Sequence, residues 1–457
     1  MRTVLLPNVT LVCVDCTDKL HLAEKAIERS LEECSFGDVK FLTHDKTRKH
    51  AVKIDRITSL EAYSRFMIRE LFHYVNTSHA LVVQWDGFPI SGEAWTDKFL
   101  DFDYGGAPFQ PTDTVGNGGF GIRSKRFLKT CTDLLTNDNE HPEDQWCSVR
   151  HRSELEAKGM KFMPPSLARK LSFEGRSWDS QEWQGVPNKW KDSFGFHSFL
   201  SVLPADKKPY AIANHAGDAG DVCYGMAAFR ALGGGVLYLS PHNKYPHPLD
   251  SRWTRTGGDP EWVNNLKPLL EAQPYVVRVQ YTHGTPFSTD FDLNRFRIPW
   301  ARRTAKDFDS ILKLHMDAFG LPLPNEPWLA VSDPITVPGR PIVVARSERY
   351  QDVTYPWGKF AYRHGDRMVF VGTEREYNLF KGFAAPKFHI PHYPTKDCLE
   401  LARVIAGAKV FCGNQSLPLA IAHGLGKPVV VEEWSLNANC HIERPNAVYG
   451  MPEELLT

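Results

Sequence analysis

Residues 11–16 read LVCVDC, residues 20–34 LHLAEKAIERSLEEC and residues 40–44 KFLTH. A short apolar stretch, a helix-like run and a second apolar stretch at these lengths form a strand–helix–strand unit. A second helical run, SLEAYSRFMIRELFHYV at 59–75, leads into another strand, HALVVQWDGF at 79–88. A helix between each pair of strands returns the chain to the same end of the sheet, so the strands are parallel and the fold class is α/β.

Downstream of Asp86 the pattern loosens into loops rich in glycine, proline and aromatic residues, up to a helix over 124–135. A tryptophan-rich stretch at 172–199 reads as irregular, and LPADKKP at 203–209 as a linker. A new strand–loop–helix opens at 210–240, YAIANHAGDAGDVCYGMAAFRALGGGVLYLS. Beyond the proline-rich LPLPNEPW and VSDPITVPG come RPIVVARS, RMVFVGT, a helix ending near Phe380, the helix DCLELARVIAGA, the strand KVFCGN, a further helix and KPVVVEEW. This rhythm predicts three Rossmann-like α/β units, over 1–204, 205–335 and 336–457.

The length of 457 residues demands more than one core. Fifty-four basic against 54 acidic residues give a net charge of zero, which argues against a chain whose main work is coating nucleic acid or an anionic membrane. No apolar run reaches the roughly 18–20 residues that cross a bilayer, and the N-terminus reads as a strand rather than a signal peptide. Nine scattered cysteines suit buried packing in a reducing compartment, so a cytoplasmic location is expected. The Cys13–Cys16 spacing has no second pair to complete a zinc site.

Several residues could carry chemistry. Asp86 ends an apolar strand, where a carboxylate faces the ligand crevice and suits a divalent cation. Gly116-Asn117-Gly118-Gly119 lets a backbone approach a substrate. Glu143 and Asp144 open a helix, which suits the macrodipole and also places a carboxylate to take a proton. His197 follows an aromatic run. In the second half, Asn214-His215-Ala216-Gly217-Asp218-Ala219-Gly220-Asp221 joins a strand to a helix N-terminus, an arrangement favouring an anion. Cys412-Gly413-Asn414-Gln415-Ser416 does the same near the C-terminus. His242, His247, His283, His389 and His392 lack ligand spacing and read as loop and surface residues.

The order QWDGF, FLDFDYGGAPF, VGNGGFGIRS, HPEDQWC, FGFHS resembles metal-dependent GT-A glycosyltransferases, and most closely a family of uncharacterised GT-A-like domains, over about residues 8–200. The resemblance implies that Asp86 and His197 bind Mn²⁺ or Mg²⁺, with Gln84 standing where the family's metal motif has an acid. It implies that Cys13, Val14 and Asp15 line the nucleotide pocket and that Gly118 and Gly119 meet sugar or acceptor. Asp144 would be the general base, with Glu143 as the alternative. In the second half, GDAGDV and GNQSLPLAIAHGLGKPVVVEE resemble GT-B glycosyltransferases of the heptosyltransferase-like group, over about residues 208–450. Here the resemblance implies that Asp218 or Asp221 faces the acceptor and that Arg346 and Arg349 hold donor phosphates. Asn414, Gln415 and Ser416 would meet the diphosphate and Glu432 or Glu433 the ribose, with no metal required.

The function expected is transfer of a sugar from a nucleotide-sugar donor to an acceptor hydroxyl by two modules in one chain. The acceptor could be a glycan, a lipid-linked sugar or nucleic acid. A binding protein without turnover is a second reading. A transferase acting on a modified DNA base is a third, kept by the mildly basic, aromatic-rich tract from Arg150 to Lys191.

Overall fold

The computed structural model of the chain describes residues 3–109, 114–134, 139–174, 192–197, 210–240, 261–281, 289–300, 310–384, 389–434 and 436–452. Most of the tryptophan-rich stretch, the 203–209 linker, the 204/205 boundary, His242, His247 and His283 lie outside them. Two compact units result, Met1–Pro209 and Tyr210–Thr457.

The first unit is built on a six-stranded sheet in the order Ala51–Lys53, Cys34–Thr43, Val4–Val14, His79–Val83, Gly121–Ser124, Tyr104–Gly106. The first four strands are parallel, as the crossover helices Leu20–Glu33 and Leu60–Arg69 require. Gly121–Ser124 runs antiparallel to both its neighbours, so Tyr104–Gly106 at the edge points the same way as the first four. Ser59 caps the second helix by accepting the Ala62 N–H, and its Met67 packs with Val12, Leu42 and Val82 under the sheet.

Two sequence expectations change here. The first strand runs Val4–Val14, so it takes in the N-terminal residues and stops short of the Asp15-Cys16 end of the LVCVDC stretch. Pro7 cannot donate to a ladder, yet the strand passes through it by a register shift between Leu6 and Thr10. Gly37 on the neighbouring strand makes room, since a Cβ there would lie 2.0 Å from the Pro7 carbonyl oxygen. Part of the supposed loop region after Asp86 forms strands 104–106 and 121–124. Their glycines allow backbone to pack on backbone: a Cβ on Gly121 would lie 2.6 Å from the Gly105 carbonyl oxygen.

In the second unit a four-stranded parallel sheet runs Val276–Tyr281, Gly235–Leu239, Ala211–His215, Phe291–Asp292. A six-stranded parallel sheet runs His392–Tyr393, Met368–Val371, Ile342–Ala345, Val410–Asn414, Val429–Glu432, Ala447–Tyr449. Most inner strands are continuous apolar runs because both faces are covered. One apolar cluster takes in Val222, Leu237 and Leu314 beside the first sheet and Val343, Phe411 and Leu419 of the second. The stretch between them is tied down as well, with Leu329 N–H bonded to the Gly424 carbonyl.

All nine cysteines are free and buried. Desolvation pushes the thiols of Cys13 and Cys223 well above the ordinary value and those of Cys34, Cys412 and Cys440 to about 12. Among the described residues no helix is long and apolar enough to cross a membrane.

Candidate functional site

The carboxyl end of strand His79–Val83 turns sharply: Gln84 and Gly87 exchange both backbone hydrogen bonds, at 2.8 and 3.0 Å, and Asp86 rides on the turn. The strand that follows pairs antiparallel with Gly195–His197, setting His197 opposite Gly87. His197 Nε2 therefore lies 3.9 Å from Asp86 Oδ1, a buried oxygen with no hydrogen-bond partner. An unsatisfied buried carboxylate oxygen beside an imidazole is a donor pair for a cation. Gln84 is committed elsewhere, its amide donating to the Tyr63 hydroxyl at 3.0 Å. Among the described residues no three His, Cys, Asp or Glu side chains form a metal-holding group. Asp86 and His197 fit a cation whose remaining positions come from phosphate oxygens and water, as Mg²⁺ commonly takes them.

The glycine loop joins this pair to the acids. A Cβ on Gly119 would sit 2.1 Å from His197 Nε2, and one on Gly118 2.6 Å from Glu143 Oε1. Gly118 N–H donates to Asp144 Oδ2 at 3.4 Å. Burial, and then the neighbouring Glu143, hold the Asp144 carboxyl above its ordinary value. Glu143 is buried and engaged by Arg123 at 3.3 Å and by the Ser64 hydroxyl at 3.5 Å. That leaves Asp144 as the acid facing the loop. Cys13 and Val14 are buried at the end of the first strand. Asp15, next along, accepts Thr17 N–H at 2.7 Å, and burial raises its carboxyl.

Gly119→Ala is expected to displace His197 and to weaken Mn²⁺ binding by the full chain at least about tenfold, given that shells around a metal ligand are worth 10–100-fold. Titration followed by Mn²⁺ paramagnetic resonance checks this, and unchanged affinity would separate His197 from the cation.

The second unit gathers its own constellation at the N-terminus of helix Ala219–Ala231. Asp218 stands at the N-cap, and its carboxylate faces Arg349 at 3.4 Å. Asp221, the third residue of the helix, faces Arg297 at 3.5 Å. A Cβ on Gly217 would lie 2.7 Å from Asp221 Cβ, so glycine lets the preceding turn fold onto the acid. Burial pushes the Asp221 carboxyl up to about 6, opposed by Arg297 and reinforced by Asp218. Arg297 is itself buried, with its Nε lacking a hydrogen-bond partner.

The N-terminus of helix Leu417–Gly424 comes to the same place, since a Cβ on Gly220 would lie 3.9 Å from Leu417 Cα. Two helix N-termini thus meet beside two arginines, each of which faces an aspartate. The motif leading into the second helix holds loops in place. Asn414 Oδ1 accepts Ser347 N–H at 2.8 Å and its Nδ2 donates to the Arg349 carbonyl at 2.6 Å, which positions Arg349. Gln415 accepts Trp434 N–H and donates to the Asn437 carbonyl and to Asn439. The Ser416 hydroxyl donates to the Asn414 carbonyl.

Arg346 and Glu432, assigned by sequence to phosphates and ribose, bind each other through two bonds of 2.7 and 2.8 Å. Glu432 is fully buried and also accepts Asp352 N–H and Trp357 Nε1–H. With its oxygens so occupied, the pair shapes the 347–352 loop rather than presenting free groups. Glu433 pairs with His441 at 2.7 Å.

Sequence reading passed over Arg297, which lies in FDLNRFRIPW with no motif around it, and Arg123, hidden in a glycine-rich strand.

A family profile described as "Protein of unknown function (DUF5672)" matches residues 46–197. No curated protein matches the chain. Among solved structures, the chain is similar to a glycosyl transferase family 9 protein from Veillonella parvula DSM 2008 (10% identity, TM-score 0.36, 53% of this chain and 86% of that one). It is also similar to the E. coli heptosyltransferase WaaC with ADP-2-deoxy-2-fluoro heptose (12%, TM-score 0.32, 52% and 91%). A third is E. coli ADP-heptose lps heptosyltransferase II (13%, TM-score 0.34, 53% and 93%).

Proposed function

We propose that the chain is a glycosyltransferase using a nucleotide-sugar donor, with transfer carried by the second unit. The observation that carries this reading is Asp221, a partly buried acid of raised pKa in the first turn of one helix, where a second helix N-terminus and two arginines converge. A diphosphate is the anion that such a place suits, and an acid ionising near 6 is poised to take a proton at neutral pH. In this mechanism the donor diphosphate lies at the helix N-termini beside Arg349. Asp221 takes the proton of an acceptor hydroxyl while its oxygen bonds to the anomeric carbon. The bond from that carbon to the diphosphate breaks, and the electron pair leaves with the nucleoside diphosphate. Arg349 and the backbone N–H groups offset the growing charge without a metal.

The first unit is proposed as a GT-A-like second module. Asp86 and His197 would hold a divalent cation, which when bound neutralises the donor diphosphate. Asp144 would deprotonate the acceptor. Gln84 and Glu143, each turned to an internal partner, favour a second reading of this unit as a nucleotide-sugar-binding module without turnover.

The experiment is nucleotide release by the full chain from UDP-, GDP-, ADP- and CMP-sugars, with Mn²⁺ and with EDTA, beside Asp86→Ala and Asp144→Asn. Release that survives EDTA and both substitutions belongs to the second unit. Release lost in both belongs to the first. Bound donor without release would replace the transferase reading by the binding one. Expected is an EDTA-resistant activity.

A further inference from the structure

The turn that carries Asp218 and Asp221 is held from beneath by a buried pair of histidines. His215 ends strand Ala211–His215, and His315 lies on helix Ile311–Asp317. Both are fully buried, with their Nε2 atoms 3.0 Å apart. The proton order along the pair is fixed from both ends. Gly217 N–H can only donate, so His215 Nδ1, at 2.8 Å, accepts. The Ile311 carbonyl can only accept, so His315 Nδ1, also at 2.8 Å, donates. In the neutral pair, His215 therefore carries its proton on Nε2 and gives it to the bare Nε2 of His315. Three hydrogen bonds run in one direction, from Gly217 through both rings to Ile311.

The surroundings are shaped for this pair. A Cβ on Gly225, inside helix Ala219–Ala231, would press on both rings at 3.0–3.1 Å. A glycine in a helix interior costs roughly 0.5–1 kcal/mol against alanine, and here it admits the two imidazoles. Phe296 stacks on His315 with centroids 4.0 Å apart, and the next residue is Arg297. Asn294, in the same short helical turn as Phe296, accepts Ala216 N–H at 2.8 Å. The rings thus sit between the turn before Asp221 and the segment bearing Arg297.

We propose that His215 and His315 are positioning residues that hold the Ala216–Gly217 turn in register with Phe296–Arg297, and so set Asp221 against Arg297. They act through hydrogen bonds on the turn and touch no substrate. This rests on the reading of Asp221 as the base.

The test uses the full chain. His215→Leu removes the acceptor for Gly217 N–H, while His215→Asn keeps an oxygen near the Nδ1 position and gives up the ring's contacts to His315 and Phe296. His315→Gln keeps an acceptor for His215. With whichever donor of the panel is active, His215→Leu is expected to lower kcat about 100-fold, the scale of a 1 Å misplacement. Donor KM should stay within about threefold, and His215→Asn should recover at least about tenfold of the loss. Hydrogen exchange of the amides of 216–218, read without any donor, should speed up in His215→Leu and return toward the wild-type rate in His215→Asn.

Unchanged exchange and kcat in His215→Leu would overturn the proposal, as would an asparagine variant no better than leucine. If His215→Leu does not fold, His215→Asn and His315→Gln stand in, each expected within about tenfold of wild-type kcat; total loss in both would overturn it. Fast exchange in His215→Leu, restored in His215→Asn, in a chain releasing nucleotide from no donor would uphold the lock on the turn and remove the transferase reading instead.

Discussion

Asp221→Asn is expected to stop transfer and, at the same time, to make the second unit more stable. A general base contributes about 10²–10⁴ in rate, so kcat should fall by about a thousandfold, with donor affinity held within a few-fold. The stability gain follows from the direction of the shift. Burial raises the folded pKa of Asp221 to about 6, above the ordinary aspartate value. Between about pH 4 and 6 the folded chain keeps a proton that the unfolded chain has released. Stability is therefore fully present below that window and falls as pH rises through it. The rate rises through the same window, because only the ionised acid can accept a proton. Asparagine carries no charge to desolvate, so the variant should lose both slopes and gain about 1 kcal/mol at neutral pH. Calorimetry and a pH–rate profile check this; an acid limb near 6 that persists in Asp221→Asn would move the base elsewhere.

The second large effect belongs to the Arg346–Glu432 pair. Arg346→Met leaves a fully buried carboxylate with two neutral donors and no counter-charge. Breaking one side of a buried ion pair costs about 3–5 kcal/mol. At about 2–4 °C per kcal/mol for a unit of this size, the melting temperature should drop on the order of 10 °C. Glu432→Gln should cost less, because the amide oxygen still accepts. The double variant Arg346→Met/Glu432→Leu should recover much of the loss, since no orphaned charge remains. Thermal unfolding of the three proteins decides it, and a double variant as unstable as the sum of the singles would show that the pair is worth more than its charges.

The pattern of what could be read follows from distance along the chain. Strand–helix–strand units announce themselves within thirty residues, and the parallel sheets of both units came from that local rhythm. That the first strand carries on through Pro7 depends on Gly37 across the ladder, which no local pattern records. Strands 104–106 and 121–124 were hidden because glycine, which weakens a strand in isolation, is there to let backbones meet. At the site, Asp86, His197, Gly118, Gly119 and Asp144 stand close in space although Asp86 and His197 are 111 positions apart along the chain. Their order along the chain was visible because each sits in a short signature. Arg346 and Glu432 were visible too, as candidate ligand groups, but their pairing spans 86 positions and no local pattern records it. The same holds for His215 and His315, 100 positions apart. Residue types that bind ligands are also the types that bind one another, and only the folded geometry says which.

The buried thiols have a practical consequence. Every cysteine of the chain is shielded from solvent, so alkylating reagents and fluorophores carrying a maleimide have no ready native target while the chain stays folded. A single cysteine placed on an exposed position such as Lys359 would become the preferred point of attachment. Labels for following turn opening or donor capture can therefore be introduced without first stripping the chain of its own sulfur. The rate at which native thiols become reactive would in turn clock unfolding of each unit, with Cys13 reporting on the first and Cys223 on the second.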